Sequence, residues 1–148
     1  GPIDEADLAR WTGLTVTEAR RAMDGAREAG ESMGFPLAEF DGAVARADLS
    51  DLVEECRAEA EAMHALPSFD ELHVGYKDRS CLTDDALESL ICPAKNGMFR
   101  PIAVEGGRVV AVLAPGRQVV VAPGWKSREE SVRRAFDEWE KWLSKTQR

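Results

Sequence analysis

Apolar positions along the chain change period twice. Over the first thirty residues they recur at helical spacing, first as Ala6, Leu8, Ala9 and Trp11, then as Val16, Ala19, Met23 and Ala26 at i, i+3, i+7 and i+10. Asp4 can cap the first stretch, which predicts a helix through about Thr12, ended by Gly13 in a left-handed conformation. Thr15 and Glu18 have capping-box spacing, and the second helix is predicted to run to about Ala29, before Gly30. Phe35–Phe40 and Ala43–Ala47 flank Asp41-Gly42, a dipeptide suited to the positive φ of a tight hairpin turn. Helix, glycine turn, capped helix and hairpin is the element order of a winged helix–turn–helix, an order that packing modules share.

A third helix is predicted from Ser50 to about Ala62, with Leu52, Val53, Cys56, Ala60 and Met63 on one side and Glu54, Glu55, Glu59 and Glu61 toward solvent. The text then shortens. "MHALP" reads as a brief strand closed by Pro67, Ser68 can cap a short helix over Phe69–Tyr76, and Asp84–Ile91 is another helix stopped by Pro93. Three strands are predicted at Met98–Val104, Arg108–Ala114 and Gln118–Ala122, separated by the turn dipeptides Gly106-Gly107 and Pro115-Gly116. Ser127–Leu143 is an amphipathic helix whose core face is Val132, Ala135, Phe136, Trp139 and Leu143.

Charge modifies this picture more than composition does. The 148 residues carry a formal net charge of −8. Residues 1–60 hold six basic and fourteen acidic side chains, and residues 61–148 hold thirteen of each. Within 95–134, eight cations (Lys95, Arg100, Arg108, Arg117, Lys126, Arg128, Arg133, Arg134) face three carboxylates (Glu105, Glu129, Glu130), so a local basic face can coexist with an acidic total. The alternative is an ordinary mixed surface. No run of about 18 apolar residues could form a membrane span, and no basic segment followed by an apolar one marks a secretory leader. Gly1-Pro2 without a methionine reads as a cleavage scar or the edge of a fragment. Cys56, Cys81 and Cys92 are odd in number and form no CxxC pair, which points to a reducing cytoplasm rather than disulfides or zinc.

Two strings carry a family resemblance. "ALPSFDELHVGYKDRSCL" and "NGMFRPIAVEGGRVVAVL" resemble the C-terminal part of the winged helix DNA-binding domain family, which includes the AlkZ-like DNA glycosylases. The matching residues are Leu66, Pro67, Phe69, Asp70, Tyr76, Asp78, Arg79, Gly97, Phe99, Arg100, Pro101, Gly107 and Val109, and "DLARWTGLTVTEARRAM" is similar to a later winged-helix segment of that family. The resemblance covers most of the chain. It implies an α+β fold: a winged-helix-like unit with a connecting helix over 1–62, then an antiparallel β-barrel-like unit over 63–148 closed by a C-terminal helix. It also implies DNA as partner and base excision as the class of activity. The family's glutamine-x-glutamine or glutamine-x-aspartate motif is not opened by either glutamine here: Gln118 precedes Val119-Val120 and Gln147 precedes Arg148. No catalytic residue is therefore carried over.

Asp70, Asp78, Arg79 and Arg100 can form an arginine–carboxylate corner, favoured by the apolar Phe69, Phe99, Pro67 and Pro101 beside them, or a polar cluster behind a nucleic-acid groove. An Asp70–His73 contact is feasible on the short helix, and a Cys81–His73 nucleophile pair is formally available. His64, Cys56 and Cys92 lack metal-ligand spacing, so no metal and no cofactor are assigned. In the second helix Thr17, Arg20, Arg21, Asp24 and Arg27 lie off the apolar face, where arginines can meet phosphates or guanine edges. Trp125 either stacks on a base or anchors the last helix, and Trp139 and Trp142 cover the barrel.

The reading is a non-catalytic C-terminal portion of a winged-helix DNA-binding protein of the glycosylase class, contacting double-stranded DNA through Arg20, Arg21, Arg27, Arg79, Arg100, Arg108, Arg117 and Lys126. Any chemistry would lie in a longer parent. The alternative is an interaction or scaffold module that binds a protein partner or a second copy without DNA, and a small-molecule-binding barrel is a third.

Overall fold

The computed structural model describes residues 2–146, so the boundary reading of Gly1 and the reading of Gln147 lie outside the described residues. The chain mixes helices with antiparallel sheets and divides into two compact units, Gly1–Arg57 with Val74–Lys77, and Ala58–His73 with Asp78–Arg148.

The first unit begins with α1 (Glu5–Thr12). The Asp4 side chain accepts from the amides of Ala6 and Asp7, the Asp7 carboxylate bonds back to the Asp4 amide, and Gly13 at φ 77 closes the helix by donating to the Ala9 carbonyl. Helix α2 (Val16–Ser32) starts with the expected box between Thr15 and Glu18. It does not stop before Gly30. Gly30 lies buried inside the helix, where an added Cβ would come within 2.6 Å of the Phe35 carbonyl oxygen. Glycine is there for a close approach and not for chain termination. Of the expected apolar face, Ala19 and Met23 are buried whereas Val16 is half exposed. The hairpin β1 (Leu37–Phe40) and β2 (Ala43–Arg46) turns at Asp41 and Gly42, both at positive φ, and Ile3 adds a bridge to Val44. Helix α3 (Leu49–Ala60) buries no residue, so its predicted apolar side is not core.

The second unit is built on an antiparallel sheet in the order β3 (His64–Leu66), β4 (Ile102–Glu105), β5 (Arg108–Ala114), β6 (Gln118–Val121). The expected barrel-like closure is absent among the described residues: β3 and β6 end an open sheet. The physical reason is that helices cover both faces. Ile102, Val104, Val109 and Val112 pack with Leu87 and Ile91 of α5 (Asp85–Ile91), and Ala103, Val110 and Ala111 pack with Val132 and Phe136 of α6 (Glu129–Thr146). A register shift at Ala103/Val104, opposite Ala111 and Val109, makes Val110 the extra residue of a bulge and leaves the neighbours Val110 and Ala111 on the same face.

Two element boundaries moved for local reasons. Phe69 adopts φ 66, so the helix expected over Phe69–Tyr76 shrinks to α4 (Glu71–Val74), with Asp70 instead of Ser68 accepting from the Leu72 amide. The strand expected from Met98 starts only at Ile102, because the Arg100 amide is given to the Ile91 carbonyl.

Candidate nucleic-acid interface

The capping box fixes where α2 begins, and the burial of Ala19, Met23 and Gly30 fixes which side turns inward. Arg20, Arg21 and Arg27 are thereby left exposed on the rest of the helix. Arg20 donates to Glu5 at 3.2 Å and Arg27 to Asp24 at 3.2 Å. The Glu5 carboxyl is held below its ordinary range, first by its own backbone amide and then by Arg20. Solvent-exposed pairs of this kind contribute little and yield readily to a competing anion. Arg21 has no ion pair among the described residues.

In the second unit the opening strings of the resemblance converge on Phe99. Its ring meets the Phe69 ring edge-on at 5.7 Å and the His73 ring at 5.3 Å, and the Arg79 guanidinium stands 5.8 Å from its centroid. His73 Nε2 is 2.7 Å from a Glu88 carboxylate oxygen, and Arg79 donates to the other oxygen of the same carboxylate. A proton on Nε2 makes this contact a donor bond, which leaves Nδ1 as the buried ring nitrogen without a hydrogen-bond partner.

The carboxylate expected to hold the arginine was Asp70 or Asp78, and this is corrected. Asp70 caps α4, and Asp78 accepts from the Ser80 amide at 2.9 Å, which with the Ser80 hydroxyl lowers its carboxyl below the ordinary range. Glu88 does the work instead. Its only sequence signal is position: it follows the buried Leu87 and precedes the buried Ile91 by three residues on a short helix. Arg100 donates to the Leu90 carbonyl at 3.2 Å, so Arg79 and Arg100 both terminate on α5, one through a side chain and one through backbone.

The remaining cations do not gather. Arg108 and Arg117 flank opposite ends of the seven-residue β5, roughly 20 Å apart at strand rise. Arg108 donates to the Cys81 carbonyl, while Arg117 is shared by Asp137 at 2.8 Å and Glu140 at 2.6 Å. Arg128 pairs with Glu105, Arg133 with Glu129 and Arg134 with Glu130, so much of the basic surplus of 95–134 is balanced by neighbours. Lys126 is exposed in the 3-10 segment Pro123–Arg128. Trp125 packs against both apolar clusters of the sheet, the anchoring role. Trp139 packs on the sheet as expected, but Trp142 is 60% exposed and is not among the residues packed on either apolar cluster.

His73 is committed to Glu88 and Cys81 is exposed, so they make no nucleophile–base pair, and the feasible contact of His73 with Asp70 is a backbone bond only. Among the described residues no cluster of three or more His, Cys, Asp or Glu could hold a metal, and no helix is long and apolar enough to cross a membrane.

Residues 1–142 match the sequence model of a family described as DNA glycosylase AlkZ-like. The structure is similar to that of the Streptomyces sahachiroi DNA glycosylase AlkZ, with a TM-score of 0.56 and 21% identity over 91% of this chain. The alignment spans 39% of that protein's chain. No curated protein matches the chain.

Proposed function

The chain belongs to the AlkZ-like DNA glycosylase family, and on that premise we propose that it is a non-catalytic, duplex-binding portion of a base-excision protein. In this reading it grips the DNA backbone while residues of a longer polypeptide perform the excision. The observation that carries the proposal is the exposed arginine face of α2, Arg20, Arg21 and Arg27, on a capped helix between a tight turn and a hairpin, an element order that supports reading this unit as a winged helix–turn–helix. Arginine suits phosphate because its planar fork donates two hydrogen bonds to one anion.

In the second unit the proposal assigns backbone contact to the exposed Arg108, Arg117 and Lys126, with Arg117 exchanging its carboxylates for phosphate. Arg79 and Arg100 are half-buried and already bonded, so they support the loop geometry and contact DNA only at its edge.

The test is a titration of labelled duplex across a salt series. Phosphate-driven association loses affinity as salt rises, and removing Arg20, Arg21 or Arg27 lowers the slope of log K against log salt by about one each. Absence of duplex binding at low salt overturns the reading. A parallel incubation with alkylated duplex, followed by alkaline strand cleavage, is expected to yield no product from this chain alone.

A second reading, a protein-interaction module, draws support from the exposed Trp11, Val16 and Val53 of the first unit and from the acidic, unburied α3. Sedimentation showing a monomer at all salt concentrations would count against it.

A further inference from the structure

We propose that Asn96 is a self-modifying site, where the Gly97 amide nitrogen attacks the side-chain carboxamide and water completes conversion to aspartate and isoaspartate. Asn96 is the only asparagine of the chain, and glycine follows it. Such a dipeptide carries electrophile and nucleophile together, because a bond from the Gly97 nitrogen to the Asn96 Cγ closes a five-membered ring. Folded proteins usually suppress the closure in two ways. A side chain on the following residue shields its nitrogen, or regular hydrogen bonding engages that amide.

Neither protection operates here. Gly97 has no Cβ, and one built there would meet nothing within 4 Å. Its amide makes no hydrogen bond among the described residues. Residues 93–98 are all exposed and lie outside any helix or strand, between α5 and β4. The loop also prepares the electrophile. The Met98 amide donates to Asn96 Oδ1 at 3.1 Å, the turn that an asparagine makes with the backbone two residues on. That oxygen takes up negative charge as the tetrahedral intermediate forms, and a backbone donor already aimed at it lowers the barrier.

In the first step the N–Cγ bond forms, the Gly97 amide proton passes to solvent base, and the carboxamide nitrogen leaves as ammonia. In the second, water opens the cyclic imide. Cleavage at the Cγ carbonyl restores a normal backbone with aspartate, and cleavage at the main-chain carbonyl leaves isoaspartate. One water is consumed, one ammonia is released, and nothing is oxidised or reduced. Each event adds a negative charge to a chain of formal net charge −8, between Lys95 and Arg100, the only charged residues from Cys92 to Val104. The loop's anchors lie outside the reacting bond: the Lys95 amide donates to the Cys92 carbonyl and the Arg100 amide to the Ile91 carbonyl, both at 3.0 Å. The sheet and α5 therefore keep their places while the loop changes charge.

The experiment ages the purified chain in mildly alkaline heavy-oxygen water, and follows ammonia release, isoelectric focusing and peptide mass. The expected result is a growing acidic band and one heavy oxygen at position 96, at a rate comparable with that of the urea-unfolded chain. Gly97→Ala is expected to slow the reaction severalfold. Because Gly97 sits at φ 79, that variant is compared in urea as well, where loop conformation plays no part. Asn96→Asp should run at the acidic position from the start, release no ammonia and melt close to wild type. Reaction in urea but none in the folded chain overturns the site, as does heavy oxygen at Gln118 or Gln147 in place of Asn96. Equal rates for wild type and Gly97→Ala in urea overturn attack by the Gly97 nitrogen, and a large fall in the melting temperature of Asn96→Asp overturns confinement to the loop.

Discussion

His73 Nε2 lies 2.7 Å from a carboxylate oxygen of Glu88, fifteen residues further along the chain, while Arg79 holds the other oxygen. The imidazole is almost fully buried and the arginine largely so, and each has its charge or polarity answered by this carboxylate. Glu88→Ala is expected to destabilise the chain by about 2–4 kcal/mol in urea unfolding, because it takes one carboxylate away from a partly buried guanidinium and a buried ring nitrogen together. Glu88→Gln, which keeps one acceptor, should cost about half of that.

Glycines 25 and 30 occupy the same helix and should respond to alanine with opposite sign. A Cβ at Gly25 meets nothing within 4 Å, so Gly25→Ala is expected to stabilise by about 0.5–1 kcal/mol through helix propensity. At Gly30 the added Cβ would meet the Phe35 carbonyl at 2.6 Å, and backbone cannot move aside cheaply. The expected outcome there is a net loss of at least about 1 kcal/mol despite the same propensity gain. Paired thermal melts of the two variants decide it.

The Glu18 carboxyl is held below its ordinary range first by the Thr15 hydroxyl and then by the Thr15 amide. A carboxyl depressed in the folded state gives stability that is complete above its unfolded value and is lost as pH falls through the folded value. The capping box should therefore act at neutral pH and fail below the usual glutamate range. Thr15→Ala is expected to return the Glu18 titration, followed by side-chain carbon NMR, toward the ordinary value. If the titration does not move, the hydroxyl is not the cause.

Phe136 is 2% exposed and fills the space between α6 and the sheet beside Val132 and Val110. Phe136→Ala should cost about 3–5 kcal/mol, the transfer loss plus the cavity it leaves. Trp142→Ala, six residues along the same helix but 60% exposed, should change stability little. Chemical denaturation of the two variants would show whether the sheet-facing stripe ends where the burial pattern ends.

Local chemistry was the legible part of the sequence. Asp4, Gly13, Thr15 with Glu18 and Asp41-Gly42 act within four residues of themselves, and each does what its spacing predicts. Gly30 looked like a helix stop because the Phe35 carbonyl that requires it comes back only after the chain has turned. Phe69 looked helical because nothing in its neighbours announces a positive φ. The polar cluster was half legible: Arg79 was visible as a residue in need of a carboxylate, but Asp70 and Asp78 in the same string masked Glu88, whose selection depends on the way α5 packs on the sheet. The open form of the sheet was hidden for a related reason, since strands of the same length and alternation suit a closed barrel or a sheet covered on both sides.

That open sheet has an edge, and β6 occupies it with the sequence Gln-Val-Val-Val. A bare valine-rich edge is a template on which foreign strands can nucleate, the first step toward cross-β aggregation. Pro115 lies three residues before β6 and Pro123 two residues after it, and neither can donate a ladder hydrogen bond. The two prolines bracket the edge as gatekeeper residues do, so an incoming strand meets an uninterrupted run of strand donors over only the four residues of β6.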